Sequence, residues 1–272
     1  RCLLSMEQKI ILSLVQTSQD RKFELVRFVN SLNAQQGVDF SSVQLIFYDQ
    51  GQNDDVFECL NPRILLTYIK GKRCSLSKAR NICLPEVKGK YVAFPDDDCW
   101  YEPDTLKKVL TVLQHGDYDG VTGKGTNENG QLTSVFPSSS QKLTREKRCG
   151  AISYTLFFRF CPEMRFDEAI GVGSPYNIGA GEETDYLLSL MEKYDYNIFY
   201  DSELIIHHPI LSELVDKEKL LNKCYSYARG SGFLMQKHKF SLRYKLRMFL
   251  RPLIGMIVYL LKGNLFLFKR SY

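Results

Sequence analysis

Short apolar runs alternate with amphipathic segments through most of the chain. Lys9–Val15 and Val43–Tyr48 read as buried strands, and Phe23–Leu32 between them carries Leu25, Val26, Phe28, Val29 and Leu32 at helical spacing. Each strand runs into polar residues, Gln16–Arg21 after the first and Asp49–Gly51 after the second. The unit repeats, with Ile64–Ile69 a third strand, Ser75–Val87 a helix and Tyr91–Phe94 a fourth strand. Alternation of this kind predicts an α/β fold, a mainly parallel central sheet flanked by helices on both faces.

The pattern continues with an amphipathic helix over Pro103–Leu113, whose proline suits a helix start, and a strand beginning at Gly120–Gly123. Thr126–Lys147 is polar and rich in Ser, Asn and Gly, which predicts a mobile connection. Gly150–Phe158 returns to strand character, and the glycine-rich Gly173–Gly181 leads into Glu182, Glu183, Thr184 and Asp185. The helix opened by those acids buries Leu187, Leu190, Met191 and Tyr194 at helical spacing. On it Glu182 and Asp185, three apart, share one face, and Glu183 points elsewhere unless it still belongs to the loop. Tyr196–Tyr200 and Leu204–Ile206 read as two short strands, the second followed by His207, His208 and Pro209.

Composition changes this picture at one end only. A chain of 272 residues with 44% hydrophobic content can bury a full core, and its net charge of +5 hides an asymmetry. From Lys219 to Tyr272 there are twelve Lys or Arg and no acid, so residues 1–218 carry 24 cations against 31 acids, or −7. The basic residues of the tail alternate with apolar stretches. Its longest uninterrupted run, Leu253–Leu261, is far short of the ~20 residues a spanning helix needs. Amphipathic helices lying on an anionic membrane surface fit this composition. Nucleic acid is not an expected partner, since no stacking or groove-reading module is present. The eight cysteines form no CxxC pair or zinc-like spacing and read as reduced thiols of a cytoplasmic protein, and the first residues do not read as a cleavable leader.

The candidate chemistry sits at Asp96, Asp97 and Asp98, where the fourth strand ends. Open α/β sheets bind ligands at the carboxyl ends of their strands, and hard oxygen ligands there suit Mg2+ or Mn2+ holding a diphosphate. Around the triplet the order of motifs is more specific than any one of them. Thr17 and Asp49 end the first two strands, Ser77-Lys78-Ala79-Arg80-Asn81 precedes the acidic strand, Trp100-Tyr101 follows it, and Gly181-Glu182-Glu183-Thr184-Asp185 opens a later helix. This order resembles the family 2 glycosyltransferases, which have the Rossmann-like GT-A nucleotide-sugar fold, over about residues 8–210.

The resemblance implies a division of labour. Thr17 and Asp49 would contact the nucleotide, and Arg80 would lie near the diphosphate or brace the acidic loop. Asp96 would contact the ribose or donor sugar. Asp98 would ligate the metal, joined by His208 after the late strand. Asp97 belongs to the same donor-binding group and is the member expected to matter least for direct ligation. The acceptor hydroxyl needs a base, and the position matching the family's motif is Glu183, with Asp185 and Glu182 as rivals because the commoner pattern has Glu-Asp where this chain has Glu182-Glu183. Trp100 and Tyr101 would stack on sugar or pack under the loop.

The expected activity is transfer of a sugar, with inversion, from a nucleotide-sugar donor to a glycan or lipid-linked acceptor in cell-surface polysaccharide synthesis, at the cytoplasmic membrane face. Rival readings are a nucleotidyltransferase, which would want a glycine-rich phosphate loop that Gln16–Arg21 lacks, and a non-catalytic relative serving as a platform. The expected organisation is a catalytic domain over 1–212, divided into a donor and metal part (8–123) and an acceptor part (124–212), followed by a basic helical region over 213–272.

Overall fold

A computed structural model describes residues 9–147, 151–210 and 217–271. Alternating side chains in the first strands decide which helices lie on which face of the sheet. In β1 (Leu12–Ser18) and β2 (Val43–Asp49), Leu12, Leu14, Val43, Leu45 and Phe47 face one core with α1 (Lys22–Asn33) and α3 (Thr105–His115). The alternate residues Val15, Ile46 and Tyr48 face a second core with α2 (Leu76–Cys83) and α4 (Glu182–Lys193). Both faces of the sheet are therefore buried, as the apolar strands predict.

The longest ladders are parallel. β3 (Leu65–Lys70), β2, β1 and β4 (Tyr91–Ala93) lie side by side in that order, and β6 (Gly120–Thr126) pairs parallel with β9 (Ile198–His207). β8 (Leu156–Arg159) runs antiparallel between β4 and β6 and joins the two halves. The short β5 (Trp100–Tyr101) and β7 (Gln141–Lys142) add antiparallel to β9. This is the α/β architecture expected from the pattern. Because β2 and β4 flank β1 on opposite sides, the order of strands reverses there, and a crevice opens at their carboxyl ends.

Several boundaries differ from expectation for local reasons. β4 ends at Ala93, two residues before Pro95, which has no N–H to extend the ladder. The helix expected to reach Val87 is α-helical only to Cys83 and tightens to a 3-10 turn over Leu84–Glu86, at Pro85. Tyr194 lies just past α4 and is 39% exposed rather than buried. The two strands expected at 196–206 are one, β9, in which the polar Asp201–Glu203 keeps strand conformation outside the β6 pairing and falls in a register shift opposite Gly123. A Cβ at Gly123 would sit 2.2 Å from the Leu204 carbonyl oxygen, so only glycine fits that irregularity. Within Thr126–Lys147 the polar residues fold into a turn built on the Asn127 side chain, and β7 pins the stretch to β9. The expected strand start at Gly150 and domain boundary at 212 lie outside the described residues.

Three helices complete the chain: α5 (Lys217–Lys237), α6 (Leu242–Leu261) and α7 (Leu265–Ser271). Among the described residues, no helix is long and apolar enough to cross a membrane.

Candidate active site

Past Pro95 the chain leaves the sheet and sets its three aspartates around a cleft of about 1040 Å3. Asp98 is paired with two cationic groups. Its Oδ1 lies 2.9 Å from His208 Nε2, and its Oδ2 accepts from Arg21 Nη2 at 3.0 Å. Burial opposes its ionisation, but the hydrogen bond and charge of His208 and the charge of Arg21 outweigh it and leave the pKa below the ordinary value. Asp97 accepts from Ser18 Oγ at 2.6 Å and Arg21 Nη1 at 3.0 Å, yet burial pushes it up to about 6. Burial also raises Asp96, against the opposing charges of Arg80 and His208.

His208 stands one residue beyond β9, its backbone N–H donating to the Thr126 carbonyl at 2.8 Å. Its ring stacks on Tyr154 with centroids 4.5 Å apart. Nδ1 lies 2.8 Å from the Pro209 carbonyl oxygen, which can only accept, so Nδ1 carries the proton and Nε2 faces the aspartates. One oxygen each from Asp96 and Asp98 and one His208 nitrogen lie within 4.8 Å of one another. A set of hard oxygens and one oriented imidazole fits Mg2+ or Mn2+, so the residues present suit the expected cation.

A second acidic group opens α4. Gly181 enters the helix with φ of +101°, a left-handed conformation that favours glycine, and the acids of the first turn lie at the positive end of the helix dipole. Glu182 is 4% exposed, and its Oε1 lies 3.5 Å from Arg80 Nη1. Burial raises Glu182, and burial together with the neighbouring Glu182 charge raises Glu183 to about 8. A carboxyl group tuned to that range can take a proton from a hydroxyl near neutral pH.

Arg80 joins the two groups. It is 2% exposed, and its Nη2 donates to Asp96 Oδ1 at 3.3 Å and Ser153 Oγ at 2.5 Å. Ser153 in turn donates toward Asp96 Oδ1 at 3.2 Å. Arg80 touches the acidic loop and also lines the cleft. Its guanidinium also sits near the Phe94 and Phe166 rings, with centroids at 5.7 and 5.3 Å.

The remaining expected residues fall in distinct places. Thr17 is half-buried and lines the cleft. Asp49 is fully buried at the end of β2, where its carboxylate accepts from Gly51 N, Asn53 N, Asn53 Nδ2, Tyr68 Oη and Lys70 Nζ at 2.5–3.0 Å. Those donors hold its pKa far below the usual range despite burial. Asp185 is 2% exposed and paired with Lys237 Nζ and His238 Nε2, each at 2.9 Å, so it ties α4 to α5. Trp100 is sandwiched between the Arg27 guanidinium, 3.8 Å from its ring, and the stacked His207 ring at 5.1 Å, so it packs under the loop. Sequence reasoning missed Arg21, Ser153, Tyr154, and Lys223 and Tyr227, which α5 brings to the cleft. Arg21 alone had a signal, as a cation in the loop after the first strand.

A family model described as glycosyl transferase family 2 matches residues 18–168. No curated protein matches the chain. Among solved structures, Staphylococcus aureus TarS aligns with a TM-score of 0.59 at 16% identity, covering 81% of this chain and 43% of that one. TarS 1–349 in complex with UDP-GlcNAc gives 0.58 at 15%, covering 96% and 90%. The mannosyltransferase PcManGT from Pyrobaculum calidifontis, in complex with GDP-Man and Mn2+, gives 0.58 at 10%, covering 96% and 85%. At these identities the structural likeness is one of fold, while the family match spans more than half of the chain, and the chain belongs to glycosyl transferase family 2.

Proposed function

We propose that the protein is a metal-dependent, inverting glycosyltransferase that moves a sugar from a nucleotide-sugar donor to a glycan or lipid-linked acceptor, in the synthesis of cell-surface polysaccharide. The observation that carries this reading is the convergence of Asp96, Asp98 and His208 in a cleft at the strand ends. Neighbours of the same fold bind UDP, UDP-GlcNAc and, with Mn2+, GDP-Man, which supports a nucleotide sugar as donor.

Asp98 and His208, with Asp96 beside them, would hold the cation, which when bound offsets the charge of a leaving diphosphate as a Lewis acid. Arg80 and Ser153 fix the Asp96 carboxylate, so that side reaches the reaction already oriented. Glu183 accepts the proton of the acceptor hydroxyl. The hydroxyl oxygen forms its bond to the anomeric carbon as the bond from that carbon to the diphosphate oxygen breaks. The nucleoside diphosphate leaves with the electron pair.

The test is release of nucleoside diphosphate from a panel of nucleotide sugars with acceptor glycans, with and without Mn2+. Metal-dependent release from one donor class is the expected result. Pyrophosphate release from a nucleoside triphosphate and a sugar phosphate would instead make the protein a nucleotidyltransferase, and no turnover with any donor would leave the platform reading.

A further inference from the structure

We infer that α6 is a docking surface for an anionic phospholipid bilayer, lying in the plane of the interface and fixed relative to the cleft by α5. None of its side chains is buried, although it is twenty residues and so about 30 Å long. Leu242, Leu246, Phe249, Leu253, Ile257 and Leu260 recur at helical spacing on one face and are between 36% and 72% exposed. Arg243, Arg247 and Arg251, four apart, form a row that starts at one edge of that face and winds away from it, and Lys245 lies on the other side. Apolar side chains flanked by long cationic ones suit a surface whose interior is hydrocarbon and whose rim is anionic, because the cations reach outward while their stems stay apolar.

Charge selects among occupants. A second copy docked through the same helix would bring one arginine row against another, and α6 itself carries no acid to relieve it. A neutral apolar partner would leave the arginine row without counter-charges. A bilayer carrying phosphate headgroups answers both the apolar face and the row.

The tie to the cleft comes from α5. A Cβ on Gly230 would lie 2.3 Å from the Ala180 carbonyl oxygen, so glycine there brings α5 against the loop that delivers Glu182 and Glu183. Farther along, Lys237 pairs with Asp167 and Asp185, and His238 with Asp185 and Glu192, immediately before α6 begins. The same helix places Lys223 and Tyr227 in the cleft wall. A bilayer seated on α6 is thus held at a set distance from the acidic groups. If the transferase reading is right, this favours an acceptor anchored in that bilayer, a clause that rests on that reading while the docking itself does not.

The test is co-sedimentation of the full chain with phosphatidylcholine vesicles with or without phosphatidylglycerol. Binding is expected only with phosphatidylglycerol and should weaken as salt rises. Joint Arg243→Glu, Arg247→Glu and Arg251→Glu should lower the partition coefficient by roughly a hundredfold or more. Joint Leu253→Asp and Ile257→Asp should lower it by at least about tenfold. Both variants should keep wild-type circular dichroism, because α6 contributes nothing to the core. Asp98→Ala should sediment like wild type, which separates docking from catalysis. Equal binding to phosphatidylcholine alone, or no vesicle binding together with a dimer that Ile257→Asp dissolves, would overturn the proposal.

Discussion

The chain sets two acidic groups near one another, and Asp98 in the first is treated in the opposite way to Glu182 and Glu183 in the second. Around Asp96–Asp98 stand Arg21, His208 and Arg80, and Asp98, the most closely paired, is held below its ordinary pKa. At the start of α4, Glu182 and Glu183 have each other and Arg80, and burial pushes both up. The first environment holds Asp98 ionised although burial raises its neighbours Asp96 and Asp97, and the second raises both of its carboxyl groups. The residue types are nearly the same, so neighbours alone separate a carboxylate held ionised from carboxyl groups whose pKa is raised. Arg80 touches both groups and keeps them in one fixed relation.

The strongest way to break the comparison is to remove Asp98. Asp98→Ala takes away the carboxylate shared by His208 and Arg21, and turnover should fall by roughly a thousandfold or more while far-UV circular dichroism is unchanged. Nucleoside-diphosphate release with saturating Mn2+ checks this. Transfer at the normal rate would mean that Asp98 does not hold the metal. Arg80→Met should lower turnover less, by about ten- to a hundredfold, because it leaves Asp96 and Glu182 in place but without their common brace.

Glu183→Gln probes the other side and should lower kcat by about 10^2 to 10^4 with donor KM little changed. Its pH behaviour is more telling than its size. A base raised to about 8 is protonated and inactive at lower pH, so wild-type kcat should climb through neutrality and level off above about 8. Glu182→Gln removes the adjacent negative charge that helps raise Glu183, and the rising limb should move to lower pH. A limb that stays in place in the Glu182 variant would show that another group carries the proton.

How much of this was legible in the sequence depends on how far apart the partners are. The strand and helix alternation is local, and so is the Asp triplet at the end of an apolar run, and both were readable. The pairing of Glu182 and Asp185 on one face followed from helix geometry, but what that face meets did not. Glu182 meets Arg80, about a hundred residues earlier, and Asp185 meets Lys237 and His238 some fifty residues later. The resemblance put Arg80 beside the acidic loop, but its contact with Ser153, supplied by a segment without a motif, was not legible. The resemblance placed Asp49 at the nucleotide, and what the sequence did not show is that Tyr68 and Lys70 reach its carboxylate from β3. β9 was read as two strands because the polar Asp201–Glu203 resembles a turn, and the glycine that accommodates it lies on the neighbouring strand.

Asp185 sharpens the comparison with the smallest expected effect on chemistry. It belongs to the α4 acidic group by sequence, but its side chain is 4% exposed and answered by Lys237 and by His238, which Glu192 also holds. Asp185→Asn should therefore leave kcat close to wild type at a temperature where the protein is folded, and should lower unfolding stability by about 3 kcal/mol, the scale of breaking a buried pair. The pH dependence follows from His238. Burial opposes its charge, but the hydrogen bonds of Asp185 and Glu192 prevail, so its folded pKa lies above the unfolded value. A raised histidine contributes stability that is full below the unfolded pKa, near 6.5, and is lost as pH rises through the folded value. Lys237 pairs with Asp167 and with the same Asp185, and Arg145 faces Glu192, so these charges also surround the histidine. Chemical denaturation of wild type should show stability falling across that window, and in Asp185→Asn the fall should be shallower because one of the two carboxylates holding the imidazolium is gone. A loss of kcat without a loss of stability would instead return Asp185 to the role of base.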